Sequence, residues 1–263
     1  MKRIDLQPAY VLHTRPYRDT SALVDLLSLD HGLLRAVARG VRGKSAGRRA
    51  AIQAFQPLLV SLAGRGELLS LSQAEHAAPG FRLLGDRLFS AMYLNELLMR
   101  LLHAQEAQPG IYRLYQQALV RLQQHGSLEA CLRCFEFRLL EELGYAWDLQ
   151  HDARTGEMLT AEQIYLFDPE HGYEAVQAPE AETPQKLFSG KELIGFADVV
   201  VHASDDDADS RQAAKRLMRQ ALRPHIGAKP LLSRTLFAAK HGSRQLPDAD
   251  TTSGILPPED NTG

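Results

Sequence analysis

Ala22-Leu23-Val24-Asp25-Leu26-Leu27-Ser28-Leu29, then Asp30-His31-Gly32, then Leu33-Leu34-Arg35-Ala36-Val37-Ala38: this stretch decides how the first third of the chain folds. Two apolar runs of strand length flank a short turn that ends in glycine, the pattern of a β-hairpin. Leucine serves helices as readily as strands, so run length and the flanking glycines tip the assignment to β. Working outward, Ala9-Tyr10-Val11-Leu12-His13 reads as a strand that ends before Pro16. A second hairpin reads Leu58-Leu59-Val60-Ser61-Leu62, Ala63-Gly64-Arg65-Gly66, Glu67-Leu68-Leu69-Ser70-Leu71. About five short strands within residues 1–80 predict a small closed barrel, of which the OB-fold is the commonest nucleic-acid-binding example.

After Pro79-Gly80 the hydrophobic period changes. Phe81, Leu84, Leu88, Met92, Leu97, Leu98, Leu101 and Leu102 recur at helical spacing and predict a long helix to about His103. Pro109-Gly110 interrupts, and Ile111, Leu114, Tyr115, Ala118, Leu119 and Leu122 predict a second helix. Ser127 is placed to cap a third, Leu128 to Leu143, which Gly144 would stop. Short connections make these antiparallel neighbours, a helical bundle over 81–145. From Tyr145 to about Ser210 the chain is polar, with short strands expected at Ile164–Phe167 and Gly172–Val176. A last helix is expected from Ser210 to about Leu222, ended by Pro224, with Arg219 and Arg223 complementing its dipole. Residues 146–243 thus form a mixed C-terminal region, and the proline-containing stretch 244–263 reads as a disordered tail. The fold class is α+β and multidomain.

Composition narrows the function. The 263 residues are 44% hydrophobic, enough for a buried core. Charges interrupt every apolar run, so no membrane span is expected. Met1-Lys2-Arg3-Ile4-Asp5 leads into no apolar stretch, so no secretory signal is expected, and the only cysteines are Cys131 and Cys134. These features predict a cytoplasmic protein. The net charge of -2 conceals an asymmetry: residues 1–80 hold eleven Lys/Arg against six Asp/Glu, whereas residues 146–263 hold twelve against nineteen. A basic first third implies a polyanionic partner at that end.

Between His31 and Gly66 stand seven bases, Arg35, Arg39, Arg42, Lys44, Arg48, Arg49 and Arg65, without one Asp or Glu. Gly40, Gly43 and Gly47 lie among them and let backbone approach a phosphate chain, whose oxygens guanidinium groups grip in pairs. Tyr10, Tyr17 and Phe55 are the only aromatics nearby, so base stacking is expected to be minor. The expectation is backbone-led, sequence-indifferent nucleic-acid binding driven by counterion release.

Other motifs carry less. Ala38-Arg39-Gly40-Val41-Arg42-Gly43-Lys44-Ser45 resembles a phosphate loop, but its first glycine position holds Ala38 and its setting is a hairpin. Cys131-Leu132-Arg133-Cys134 has no second pair to complete a four-ligand zinc site, and its three-residue step inside a helix predicts buried packing. Ten histidines are scattered, and Glu141 and Glu142 lie on successive, non-facing helix positions. No enzyme and no cofactor are expected. An RNA-binding OB protein of the translation machinery is the alternative reading.

The ordered set Tyr10-Val11-Leu12-His13-Thr14-Arg15-Pro16-Tyr17, Ala38-Arg39-Gly40-Val41-Arg42 and Gln56-Pro57-Leu58 resembles the start of RecO proteins. Tyr93-Leu94-Asn95-Glu96-Leu97-Leu98, Phe135-Glu136-Phe137-Arg138-Leu139-Leu140, Leu143-Gly144-Tyr145 and Lys229-Pro230-Leu231-Leu232-Ser233-Arg234-Thr235-Leu236-Phe237 continue the likeness. It implies an N-terminal OB-fold β-barrel, an α-helical body and a C-terminal region. It implies binding of single- and double-stranded DNA, annealing of complementary strands and, with RecR, help in loading RecA on DNA coated with single-strand-binding protein (SSB). Recruitment by the acidic C-terminal tail of SSB and association with the nucleoid follow from the same likeness. Many relatives carry four cysteines as a zinc site after the position of Gly144-Tyr145. Here Trp147 to Val176 holds His151 and His171 but no cysteine, so the C-terminal region is expected to lack the zinc site, with no metal. The resemblance also points to Arg133, in Leu132-Arg133-Cys134-Phe135-Glu136, as a partner for the tail's terminal carboxylate.

Overall fold

The computed structural model describes residues 2–41, 52–176, 184–202, 208–227 and 229–233. Both expected hairpins form, joining β1 (Lys2–Tyr17), β2 (Ser21–Ser28), β3 (Gly32–Ala38), β4 (Leu58–Gly64) and β5 (Leu68–His76). They close into a barrel of strand order β1-β2-β3-β5-β4, with β3 and β5 parallel and the other pairs antiparallel. Every second residue of β2, β3 and β4 points inward: Val24 and Leu26, Leu34 and Ala36, Leu58, Val60 and Leu62 fill the interior. Leu27 and Leu33 belong instead to the core shared with the helices. Part of the outer surface is therefore also covered, which is why these strands read as unbroken apolar runs.

β1 is longer than expected and passes through Pro16. Its first half pairs with β4 and its second with β2, with register shifts between Ile4 and Gln7 and between Val11 and His13. Past Ala9 the strand is paired on one side only, and such an edge tolerates proline.

The helices are α1 (Asp86–Leu101), α2 (Pro109–Gln123), α3 (Leu128–Glu142), α4 (Gly190–His202) and α5 (Ala208–Ile226). Ser127 caps α3 as expected, its side chain accepting the Ala130 N–H at 3.2 Å. Gly144, at φ 80°, ends it, with the Tyr145 N–H reaching the Leu140 carbonyl at 2.8 Å. A three-stranded sheet orders β7 (Gly172–Ala175), β6 (Ile164–Asp168) and β8 (Leu187–Ser189). The expected long helix starts later, at Asp86, and α4 lies in a stretch read from the sequence as polar. α5 does not stop at Pro224 but runs to Ile226. Proline deprives the last turn of one donor, and tertiary contacts hold the turn instead. His225 stacks on Tyr145 with centroids 4.1 Å apart, and Arg100 Nη1 donates to the Ile226 carbonyl at 3.3 Å.

Residues 81–145 and the region after them share one hydrophobic cluster. Phe137 of α3, Trp147, Phe167 of β6 and Phe196 of α4 stack around one another, with Phe137–Trp147 and Trp147–Phe167 centroids 5.1 and 4.8 Å apart. The barrel joins the same cluster through Tyr10, whose ring meets Tyr112 and Tyr115 of α2 at 5.4 and 5.3 Å. Below them Asn95 Nδ2 donates to the Leu12 carbonyl at 2.8 Å, and the Tyr115 hydroxyl donates to Asn95 Oδ1 at 2.6 Å. These buried polar bonds set the register between barrel and helical body. The tail 244–263 lies outside the described residues.

Candidate nucleic-acid interface

Strand register places the barrel's outward side chains in rows. β1 and β2 put His13 opposite Asp25 and Arg15 opposite Leu23, and β2 and β3 put Asp25 opposite Arg35 and Leu23 opposite Val37. Because the interior takes Val24, Leu26, Leu34 and Ala36, these residues share the outer face, where Arg39 follows directly on Ala38. Arg15 and Arg39 are exposed.

At the middle of this face Asp25 is buried, 2% exposed. A buried carboxylate needs a cationic partner, and Arg35 Nε donates to Oδ1 at 2.7 Å, while His13 Nδ1 stands 3.6 Å from Oδ2. Only Nε of Arg35 is engaged this way; no described residue takes its terminal nitrogens, and the side chain is 48% exposed. Asp25 therefore fixes the direction of a guanidinium whose outer edge faces solvent. Leu23, Leu33 and Leu68 line the shallow recess beside it.

The structure divides the seven expected bases. Arg35 stands on β3 and Arg39 in the turn directly after it. Arg65, exposed in the β4–β5 turn, lies at the barrel end where β3 begins, because β3 and β5 run parallel with Arg35 level with Leu68. It borders a recess with Lys2, Glu67 and Gln105. Arg42, Lys44, Arg48 and Arg49 lie outside the described residues. Three bases missed in the sequence join the face: His13, Arg15 and Arg18. Arg18 sits in the β1–β2 turn with its guanidinium carbon 5.2 Å from the Tyr17 ring centre. The signal was present, since Arg15-Pro16-Tyr17-Arg18 surrounds a turn with two guanidiniums and an aromatic. Of the three nearby aromatics, Tyr10 and Phe55 are buried and only Tyr17 is partly accessible.

On α3, Arg133 is not a surface residue; its side chain is 10% exposed. Its Nη2 donates to Glu136 Oε1 at 2.6 Å, an oxygen that also accepts the Tyr93 hydroxyl. Arg133 Nε and Glu136 Oε2 have no partner among the described residues. Any external carboxylate reaching Arg133 competes with Glu136. Cys131 and Cys134 are buried free thiols, as expected, and burial pushes the Cys131 thiol up to about 11.

In the region read as lacking a zinc site, two Asp-x-x-His turns stand at corresponding places. Asp148 Oδ1 accepts the Gln150 and His151 N–H groups at 2.7 and 3.0 Å and lies 3.0 Å from His151 Nδ1. Asp168 Oδ1 does the same with Glu170, His171 and the His171 ring at 2.8, 3.1 and 3.1 Å. Among the described residues no group of three His, Cys, Asp or Glu side chains could hold a metal ion. Nor is any described helix long and apolar enough to cross a membrane.

Comparison with known proteins agrees with this architecture. The family description "Recombination protein O N terminal" matches residues 1–79, the barrel, and "Recombination protein O C terminal" matches residues 83–235. DNA repair protein RecO of Stutzerimonas stutzeri is 46% identical over 231 residues, 88% of this chain and 92% of its own length. DNA repair protein RecO of Pseudomonas aeruginosa (strain LESB58) is also 46% identical, covering 88% of this chain and 94% of its own. That of Cellvibrio japonicus is 42% identical over 236 residues, 89% and 97% of the two chains. With both halves matched and identity this high over most of its length, the chain belongs to the RecO family of DNA repair proteins.

Proposed function

We propose that the chain is a non-catalytic recombination mediator that holds single- and double-stranded DNA on the outer face of its barrel and anneals complementary strands. With RecR it helps load RecA on DNA coated with SSB, and the C-terminal tail of SSB brings it to that DNA. The observation that carries the reading is the group of bases His13, Arg15, Arg35 and Arg39, among which Asp25 is buried and holds Arg35 in place, with Glu67 at the edge of the same recess. In OB-folds the face of strands 2 and 3 with its flanking turns is where oligonucleotides lie. Here those turns carry Arg18 and Arg65.

Charges without a sequence-reading surface favour phosphate contacts, and such binding weakens by about one power of salt concentration per phosphate neutralised. The test is ATP-independent annealing of labelled complementary strands across a salt series, with the wild-type chain and an Arg15→Glu/Arg39→Glu variant. The expected result is at least a ten-fold loss of rate and a shallower salt dependence. Undiminished annealing by the variant overturns the site. A ten-fold preference for RNA over single-stranded DNA in competition overturns the DNA reading in favour of an RNA-binding protein.

A further inference from the structure

We infer that α5 carries a second site for the sugar-phosphate backbone of a nucleic-acid strand, built without any residue of the barrel. Lys215, Arg219 and Arg223 follow one another at four-residue steps, so they stand in one exposed row roughly 6 Å apart. No carboxylate among the described residues pairs with them. Like charges at this spacing repel, and a helix whose only task was packing would gain by placing glutamates between them. The opposite face of α5 does that packing: Ala213, Ala214, Leu217, Met218, Ala221 and Leu222 are buried in the shared core.

The row forms one wall of an open groove that also includes Arg216, Gln185 and Gln220. Arg216 is held in place: its Nη2 donates to the Leu187 carbonyl at 3.0 Å, its guanidinium lies 4.3 Å over the Phe188 ring, and Glu192 is 3.4 Å away. Gln220 Nε2 donates to the Gln185 carbonyl at 2.7 Å. Arg216 Nε and Gln220 Oε1 are buried beneath the groove with no partner among the described residues. Glu129, the one carboxylate lining it among the described residues, faces Arg211 at 3.6 Å.

The chemistry of this groove selects its occupant. Most peptide-recognition modes bury aromatic or aliphatic anchors in apolar pockets, the exception being acidic motifs, which arginine clusters also read. Among the described residues this groove is lined by arginine, lysine and glutamine side chains, head groups and aliphatic stems together, and by Glu129. Those groups suit phosphate oxygens and sugar hydroxyls. Neighbouring cations about 6 Å apart match roughly two phosphates at the 3.4 Å axial step of a duplex strand. The inference rests on the reading of the chain as a nucleic-acid-binding protein, and extends it: two sites on different elements let one molecule hold two strands at once.

The test uses the full chain and a fluorescein-labelled single-stranded 30-mer, read by anisotropy across a salt series. Lys215→Glu/Arg219→Glu/Arg223→Glu is compared with the milder Lys215→Gln/Arg219→Gln/Arg223→Gln and with the barrel variant Arg15→Glu/Arg39→Glu. Melting curves confirm that each is folded. The expected result is a loss of affinity of ten-fold or more for the glutamate variant, and a salt slope lower by about two to three in both α5 variants. Adding the barrel substitutions should weaken binding further. Unchanged affinity and slope in the α5 variants, with the barrel variant weakened, overturns the second site and leaves the barrel reading standing. Unchanged binding in all variants overturns both. Loss of binding to a short acidic peptide, with the oligonucleotide unaffected, also overturns the inference and makes the groove a peptide site.

Discussion

The carboxylate of Glu96, in the middle of α1, accepts the Ser233 backbone N–H at 2.9 Å and the Ser233 hydroxyl at 2.7 Å, across 137 residues of chain. The Leu232 N–H donates to its other oxygen at 2.9 Å. One turn along, Arg100 donates to Glu96 and to the carbonyls of Ile226, Lys229 and Pro230. An acid and a base at i and i+4 thus satisfy both the donors and the acceptors of a segment that has left α5 and forms no ladder of its own.

Glu96→Ala is expected to cost about 2 kcal/mol, since hydrogen bonds to a charged group are worth about 1.5–3 each and part of that is recovered by water. That corresponds to a melting temperature lower by about 4–8 °C for a chain of this size. Burial opposes the charge on Glu96, but the Ser233 and Leu232 donors and Arg100 outweigh it and hold the carboxyl below its ordinary value. A lowered folded pKa stabilises the protein above the unfolded value of about 4.3, and the contribution is lost as pH falls through the folded value. The melting-temperature difference between wild type and Glu96→Gln should therefore shrink below pH 4; a difference independent of pH would contradict the assignment.

Arg35, on β3, and Arg39, in the turn just after it, are expected to respond differently. Arg35→Ala removes the main partner of buried Asp25 and should destabilise by about 1–2 kcal/mol, the loss being moderated by the exposure of Arg35. Arg39→Ala should leave the denaturation midpoint within about 0.5 kcal/mol of wild type while weakening DNA binding. Urea titrations of the two variants check this, and equal stabilities would show that Asp25 does not depend on Arg35.

If Arg133 receives the terminal carboxylate of the SSB tail, Glu136 is its competitor. Glu136→Gln keeps the shape of the side chain and frees the guanidinium, so tail-peptide affinity should rise by about three-fold or more, whereas Arg133→Ala should lower it by about ten-fold. Isothermal titration with the acidic tail peptide decides between this and a tail site elsewhere on the helical body, which Glu136→Gln would leave unchanged.

The thiols of Cys131 and Cys134 should not react with an aromatic disulfide reagent in the folded protein at pH 8. Both are buried, and burial pushes Cys131 up to about 11, far from the thiolate form that attacks. Both should react within seconds in denaturant. Fast labelling of the native protein would mean that the α3 interface opens.

The Asp148 and Asp168 turns are held by hydrogen bonds from backbone N–H groups, and with no zinc site expected a chelator should leave the melting temperature unchanged. Asp168→Ala should cost about 1 kcal/mol, as the loss of a helix cap does. A drop in melting temperature on adding EDTA would show that a metal contributes to the native fold.

The barrel, the three successive helices, the Ser127 cap and the Gly144 stop were legible because each depends on neighbours in sequence. Strand alternation, helical period and a capping oxygen are local, although β1 ran on through Pro16 and α1 began only at Asp86. The α4 helix was hidden because Leu193, Phe196 and Val200 sit between glycine, lysine and aspartate in a short segment, whose helical form is secured by the aromatic cluster around Trp147. The candidate site was half legible. A count of bases that began at His31 recorded a stretch free of acid but left out Asp25, which the hairpin register brings directly opposite Arg35.

The chain by itself determined which stretches form the barrel strands and the three successive helices, and which third of it is basic, since those depend on residue type and spacing. Only the tertiary structure decided which charges are spoken for. Arg133 and Arg35 look like any other arginine in sequence, yet one is buried against Glu136 and the other is aimed by Asp25. Lys215, Arg219 and Arg223 stand in a row that no carboxylate among the described residues pairs with. Whether a charge is available depends on what lies within a few ångströms of it, and the fold sets those distances by bringing together residues far apart along the chain.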